Sequence, residues 1–197
     1  VIDNEDLEHL CEELSDISSV LTQLVPGLSI GFKEISQTLD KDGEAATVTM
    51  LTAYRDGKEL PLRDESDGVR KIISVLSLII AAFNEQSVTV AIDEFDAGIF
   101  EYLLGEILQS MEESGKGQFI FTSHNLRPLE VINKKFLYFT TTNPQNRYIR
   151  LKNISATNNL RDTYFREIIL CEQEEEIYNK TKKFKIIAAL KKAGGLR

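Results

Sequence analysis

The chain has 197 residues, of which 42% are hydrophobic and 27% charged, and its formal net charge is −8. This balance is typical of a globular protein of one or two domains, and the negative charge argues against attraction of the whole surface to nucleic acid or to an anionic membrane. The cysteines, Cys11 and Cys171, lie far apart and form no CxxC pair, so we expect a reducing compartment, the cytoplasm.

Residues 4–24 predict an amphipathic helix, because apolar side chains recur at three- and four-residue steps. Pro26 and Gly27 end it. Two extended runs follow, residues 28–39 and 46–55, and the Asp-Gly turn chemistry of residues 40–43 predicts that they form a β-hairpin. A second Asp-Gly pair, Asp56 and Gly57, turns the chain again.

The middle of the chain alternates helix and strand. A helix is predicted near residues 66–84, a strand at 87–92, a helix at 99–113 and a strand at 118–123. The connections are long enough to be crossovers, so the pattern predicts a parallel sheet in an α/β architecture. The longest apolar stretch, residues 72–83, is too short to span a bilayer, and no signal peptide is recognisable; no membrane partner is expected.

The last part of the chain is predicted as two strands, residues 135–142 and 147–154, followed by forty mostly helical residues. Acids precede lysines in residues 172–192, as a helix dipole prefers. Lysines 180–192 are a candidate DNA contact, but a solvated helix face with four apolar side chains turned inward is preferred. Those four side chains are Ile177, Phe184, Ile187 and Leu190.

Two of the predicted strands end in chemically reactive side chains. Asp93 and Glu94 follow one strand, and His124 follows the other. If the strands are parallel neighbours, these groups meet at one edge of the sheet. Phosphoryl transfer uses such a set: Asp93 to hold Mg2+, Glu94 to activate water, and His124 to sense the terminal phosphate. The alternatives are an aspartate that caps a helix and a histidine in an ordinary loop.

A third candidate element is "ESDGVRK", residues 65–71, at the start of the long apolar helix. Ser66 and Gly68 would present a hydroxyl and a backbone amide to an anion, assisted by the helix dipole, with Arg70 and Lys71 nearby. The alternative interpretation is a plain helix cap.

Together, "ESDGVRK", "VTVAIDE" and "FTSH" resemble the signature, Walker B and switch-histidine motifs of the carboxyl-terminal lobe of an ABC-type ATPase, in the SMC, RecF and OLD-like branch. The resemblance covers roughly residues 60–140. It implies a partial P-loop NTPase fold of α/β class, a parallel sheet flanked by helices, with an additional β-hairpin. The implied domains are residues 1–62 (helix and hairpin), 63–142 (signature, Walker B and switch histidine) and 143–197 (strand and carboxyl-terminal helices).

The resemblance also implies a mechanism in which ATP is sandwiched in a homodimer. Asp93 would hold Mg2+, Glu94 would activate water, and His124 would contact the terminal phosphate. Ser66 and Gly68 of one head would contact the ATP of the other. The implied role is in DNA repair, DNA maintenance or anti-phage defence, with DNA or a nuclease as partner.

Three departures from the family pattern stand out. No GxxxxGK[ST] occurs in the chain, so we expect a missing amino-terminal Walker A lobe and no activity of this chain alone. The chain starts at Val1, and we expect it to be a piece of a longer protein. Asp67 and Val69 are atypical of the signature, and Phe100 stands at the D-loop aspartate.

Two other functions remain open. One is a non-catalytic ABC-like module for dimerisation or regulation, which the missing phosphate loop favours. The other is a metal-dependent phosphohydrolase that uses Asp93, Glu94 and His124, which is ranked last because three scattered ligands make a poor metal site.

Overall fold

The computed structural model describes residues 2–39, 41, 43–151, 160–170, 175–179 and 181–195. The chain divides into two units, Val1–Arg127 and Pro128–Arg197. The division into three segments made above stays a prediction. All of the candidate site residues lie in the first unit.

Helices and strands of the first unit follow the predicted order. They are β1 (Ile2–Asp3), α1 (Asn4–Leu24), β2 (Leu28–Leu39), β3 (Ala45–Arg55), β4 (Lys58–Pro61), α2 (Asp67–Asn84), β5 (Thr89–Ile92), α3 (Glu101–Ser114) and β6 (Gln118–Phe121). The second unit contains α4 (Pro128–Val131), β7 (Phe139–Thr140), β8 (Tyr148–Ile149), α5 (Leu160–Leu170) and α6 (Lys183–Ala193).

The predicted hairpin is confirmed as the centre of a four-stranded antiparallel sheet. β2 pairs along the whole of β3, and β1 and β4 both pair with the opposite edge of β3. Asp56 and Gly57 connect β3 to β4 with φ of 50° and 75°. Positive φ at both central residues is the requirement of a type I′ turn, which explains the Asp-Gly pair.

The predicted parallel pairing is also confirmed, in a smaller sheet. β5 and β6 run parallel with Thr89 opposite Gln118 and Ile92 opposite Phe121. Within the described residues this parallel sheet has two strands, so the α/β expectation holds for a sheet smaller than the antiparallel one. α2 packs on it with one buried face, which consists of Ile72, Val75, Leu76, Ile79 and Ala82. In the part of the chain that the structure describes, no helix is both long and apolar enough to cross a bilayer.

The second unit has a small core of Phe139, Leu151 and Leu160. β7 and β8 pair antiparallel as expected, but each is two residues long, far shorter than the predicted strands. Residues 134–136 form a 3-10 turn instead of the start of a strand. The end of the second predicted strand, residues 152–154, lies outside the described residues.

The prediction that the last forty residues are mostly helical holds for α5 and α6 but is wrong for residues 175–179. Residues 175–179 are not helical, and α6 begins at Lys183. Tertiary hydrogen bonds explain the difference, because the Glu176 carbonyl accepts from the backbone N–H of Thr142 at 2.9 Å, and the Glu175 side chain binds the same loop. Lys180 and Cys171 lie outside the described residues.

Three of the four apolar side chains that were predicted to turn inward on this helix are exposed instead. Phe184, Ile187 and Leu190 are 65%, 43% and 67% exposed. Ile177, which precedes α6, packs against the small core. The preference for a buried apolar face therefore holds for Ile177 and not for α6.

A pH-dependent contact holds the loop between β7 and β8. The Glu175 carboxylate accepts hydrogen bonds from the side-chain amides of Asn143, at 3.1 and 2.9 Å, and Asn146, at 3.0 Å. These bonds lower the pKa of Glu175 from its ordinary value. Since the charged form is favoured in the fold, this stabilisation is present above the unfolded pKa of about 4.3 and is lost as pH falls through the lower folded pKa.

We therefore expect Glu175→Gln to be less stable than the wild type at neutral pH and equally stable in acid. Urea unfolding of both proteins across this pH range measures the difference. Glu176→Gln is the control, because Glu176 contacts the loop through its carbonyl. A stability gap that stays constant down to low pH would contradict the assignment.

Candidate functional site

Thr122 braces the two adjacent acids at the end of the parallel pair. Because Ile92 lies opposite Phe121, Asp93 and Thr122 are the next residues on the same edge. The Thr122 hydroxyl donates to Oδ1 of Asp93 and accepts from the backbone N–H of Glu94 at 2.8 Å. Thr122 was not among the predicted site residues, and the signal that could have found it is the register of β5 against β6.

Glu94 has a left-handed backbone, with φ of +47°. Residues with side chains rarely adopt this conformation without support from their surroundings. Here the Glu94 N–H donates to Thr122, and the Glu94 carbonyl accepts from the N–H of Ala97 at 3.0 Å. The direction of the Glu94 side chain is therefore set by a turn and not by the alternation of an extended strand.

Phe95 anchors this turn in the core. Its side chain is fully buried and meets Phe119 and Phe121 edge to face, with centroid distances of 5.2 and 5.9 Å. Such aromatic pairs add to the free energy of apolar burial. An anchored Phe95 holds the preceding acid in one place.

Asp96 ties the turn after β5 to the loop after β6. Its carboxylate accepts from the backbone N–H groups of His124, at 3.2 Å, and Asn125, at 2.9 Å. His124 Nε2 then lies 3.8 Å from Oε1 of Glu94. His124 therefore lies close to Glu94, as predicted, and Asp96, which was not a predicted site residue, holds the loop that places it there.

Ser66 and Gly68 form a second group at the start of α2. Ser66 is the N-cap, and its Oγ accepts from the N–H of Val69 at 3.3 Å. Asp67, the atypical acid of this segment, forms an ion pair with Arg70. The structure thus contains the plain helix cap, with the extra negative charge balanced by Arg70.

Gly68 packs directly against Gly98, in the segment that follows the acids. A Cβ at Gly68 would lie 1.9 Å from the Gly98 carbonyl oxygen. Gly98 has φ of +76°, a conformation that favours glycine. Two glycines therefore allow the start of α2 to touch the turn that carries Glu94. Phe100, which follows, precedes α3 without a side-chain cap and is 74% exposed.

The side-chain oxygens at this edge of the sheet suit Mg2+ bound partly by water and substrate better than they suit a metal ion held by protein ligands alone. The described residues contain no group of three His, Cys, Asp or Glu side chains placed to hold a metal ion. Mg2+ commonly uses one or two carboxylates together with water and substrate phosphates. Asp93 fits that role, and the phosphohydrolase alternative with an all-protein metal site receives no support.

Comparison with known proteins gives one family and a set of similar folds. The family model described as "AAA domain, putative AbiEii toxin, Type IV TA system" matches residues 13–130, more than half of the chain. No protein with a curated description matches. A solved structure from work on ATP-driven dimerization and DNA-stimulated activation of SMC ATPases has a TM-score of 0.53 at 15% identity, covering 86% of this chain and 98% of that one.

Two further similar structures are SMC head domains with lower TM-scores. One is a SmcHead bound to the C-winged helix domain of ScpA, with 16% identity and a TM-score of 0.46 over 61% of this chain and 36% of that one. The other, from Pyrococcus furiosus, is bound to the C-terminal domain of ScpA, with 17% identity and a TM-score of 0.40 over 58% and 29% of the two chains. The chain thus spans about a third of each of these two.

We expect Gly68→Ala to destabilise the protein by about 1–3 kcal/mol. Alanine is favoured over glycine in a helix by at most about 1 kcal/mol, but the added methyl group meets backbone atoms that must move. Urea unfolding measures the change. Gly31→Ala is the control, because its added Cβ would lie 3.4 Å from the nearest atom of the Tyr54 ring and would meet no backbone atom as closely as at Gly68. Equal stability of Gly68→Ala and the wild type would contradict the close contact.

We expect Asp96→Ala to release the loop that carries His124. The backbone amides of His124 and Asn125 donate hydrogen bonds to the Asp96 carboxylate, so their hydrogen exchange should become faster in this variant. Exchange at Ile120, within β6, should stay unchanged. Asp162→Ala, in the second unit, provides a surface control. Unchanged exchange at His124 in Asp96→Ala would show that the carboxylate does not hold the loop.

Proposed function

The chain belongs to the family described as AAA domain, putative AbiEii toxin, Type IV TA system, and from this membership we propose that it is the signature and Walker B half of an ABC-type ATPase head. The observation that carries the proposal is the shared edge of β5 and β6, where Asp93, Glu94 and His124 follow adjacent parallel strands. Nucleotides commonly bind at the carboxyl ends of such strands. The fold similarity to an SMC ATPase supports the assignment.

Asp93 is the residue that would hold Mg2+, directly or through water. When bound, Mg2+ neutralises charge on the phosphates of ATP. Thr122 keeps the Asp93 carboxylate at the strand end through the hydrogen bond to Oδ1.

Glu94 is the group that would take the proton from the attacking water, and His124 is the group that would donate a hydrogen bond to the terminal phosphate. Their polar atoms are 3.8 Å apart, longer than a hydrogen bond, so each remains available to substrate. Both side chains are largely exposed in this chain. A second surface that covers them would exclude water and strengthen these interactions.

Ser66 and Gly68 would contact ATP bound to a second head, so that two chains close around two nucleotides as a homodimer. The Ser66 oxygen accepts from Val69, which leaves its own proton for donation to a phosphate. The start of α2 adds the positive end of a helix dipole. Since the 197 residues contain no GxxxxGK[ST], the phosphate cradle would come from an amino-terminal Walker A lobe, and this chain alone would be inactive.

The proposed setting is DNA repair, DNA maintenance or anti-phage defence in the cytoplasm, with DNA or a nuclease as partner. This part of the proposal rests on the resemblance to SMC, RecF and OLD-like ATPases rather than on the geometry of the site.

A second candidate function is a non-catalytic module that dimerises or regulates a partner. Phe100 at the D-loop position and the Asp67–Arg70 ion pair in the signature segment favour it. Both features depart from the family pattern at places where two heads would meet.

In the protein of full natural length, we expect Glu94→Gln to lower the rate of ATP hydrolysis by about 100-fold or more while ATP still binds. The amide keeps the size of the side chain and removes its basicity. Steady-state phosphate release measures the rate, and size-exclusion chromatography with ATP should show a persistent dimer.

Glu113→Gln is the control, because Glu113 is an exposed acid in the last turn of α3, outside the proposed site. Hydrolysis by Glu94→Gln at the wild-type rate would exclude Glu94 as the base. A wild-type protein that neither binds nor hydrolyses ATP would instead support the non-catalytic module.

A further inference from the structure

Residues 134–150 of the second unit are basic in an acidic protein. They contain Lys134, Lys135, Arg147 and Arg150 and no aspartate or glutamate, whereas the whole chain carries a net charge of −8. All four cations are exposed. A local positive field therefore exists on this segment, which we call the basic hairpin.

The two faces of the basic hairpin differ in chemistry. The register places Phe139 opposite Ile149 and Thr140 opposite Tyr148. Phe139 packs in the core with Leu137, Ile149 and Leu151. Strand alternation then directs Tyr138, Tyr148 and Arg150 to the outer face. Consistent with this pairing, Arg150 Nη2 donates to the Tyr138 hydroxyl at 2.6 Å.

Exposed aromatic rings lie beside these cations. Phe136 and Tyr138 are each 59% exposed and Tyr148 is 68% exposed. The Lys135 ammonium is 4.6 Å from the centroid of the Phe136 ring, and the Arg150 guanidinium is 4.5 Å from that of Tyr138. Alternating cations and exposed rings are the chemistry that binds unpaired bases and their phosphates.

A cavity of about 290 Å³ opens on the same segment. It is lined by the exposed cations Lys134, Lys135 and Arg150 and by apolar side chains that include Leu137 and Leu151. Its volume is close to the lower end of ligand sites, about 300 Å³. Its apolar lining belongs to the core-facing side of the hairpin, so the cavity is separate from the exposed rings of the outer face.

We propose that the outer face of the basic hairpin binds single-stranded DNA, with the rings stacking on bases and the cations contacting phosphates. Duplex DNA keeps its bases paired and offers no ring faces to the tyrosines. At the loop tip, the side chains of Asn143 and Asn146 are engaged with Glu175 within the unit. Stacking and charge are the recognition chemistry assigned to this face, with no contact assigned to a ribose hydroxyl.

The test is fluorescence anisotropy of a labelled oligothymidylate with the full 197-residue chain, in the absence of ATP. We expect binding to weaken about fivefold or more in each of Tyr138→Ala and Tyr148→Ala, because base stacking on an aromatic side chain is lost. Tyr138→Phe should bind like the wild type, since it keeps the ring. Tyr102→Ala is the matched control, because Tyr102 is also 59% exposed but lies on α3.

The charge contribution is measured by salt titration. Lys135→Ala and Arg150→Ala should each lower the slope of log affinity against log salt by about 0.7, the value for one phosphate contact on a single strand. Lys116→Ala, at an exposed lysine between α3 and β6 in the first unit, should leave the slope unchanged.

Four results would overturn the proposal: no binding, equal affinity for a duplex of the same length, a tenfold preference for RNA, or displacement of the oligonucleotide by anionic vesicles. Wild-type affinity in both tyrosine-to-alanine variants would also overturn it. Urea unfolding of each variant identifies any loss of binding that results from misfolding. Because ATP is absent, these outcomes are independent of the proposed ATPase site.

Discussion

The parallel pairing of β5 with β6 is the constraint on which the first unit's candidate site depends. Asp93, Glu94 and Asp96 follow one strand, and Thr122 and His124 follow the other, so a single register sets every distance between them. A shift of one residue would turn each side chain of β6 to the opposite face of the sheet. The buried aromatic contacts of Phe95 with Phe119 and Phe121 oppose such a shift, since they exist in one register. Core packing thus specifies the position of polar groups that are themselves exposed.

A second constraint joins this edge to the start of α2. Gly68 and Gly98 touch through their backbones, and there is no side chain between them that could adjust by changing rotamer. A displacement of the turn that carries Glu94 must therefore displace the first turn of α2, or the contact must open. In the proposed dimer these two segments serve different nucleotides. The contact offers a direct physical link between the two halves of the site carried by one chain.

The sequence predicted those parts of the fold that local chemistry determines. The apolar spacing of α1 and α2 and the Asp56-Gly57 turn are local signals, and each was confirmed, as was the predicted pairing of β2 with β3. The acids and His124 were placed on one edge by the same reasoning. Thr122 and the contacts of Asp96 were missed, because they depend on which residues of two strands lie opposite each other. In the second unit, residues 175–179 bind a distant loop instead of forming the predicted helix, since those partners are not visible in the local sequence.

The net charge of the whole chain does not predict the charge of the basic hairpin, because a sum over the sequence does not show which charged residues lie close together. Charge acts on a ligand over roughly 10 Å at 0.1 M salt, so acids farther than this from the basic hairpin are screened. Within residues 134–150 the balance is four cations and no acid, opposite in sign to the whole chain. The Glu175 carboxylate contacts this segment and is engaged with the side-chain amides of Asn143 and Asn146 at the loop tip. A polyanion that contacts the outer face therefore meets the charges of these cations, and acids more than roughly 10 Å away oppose its binding only weakly.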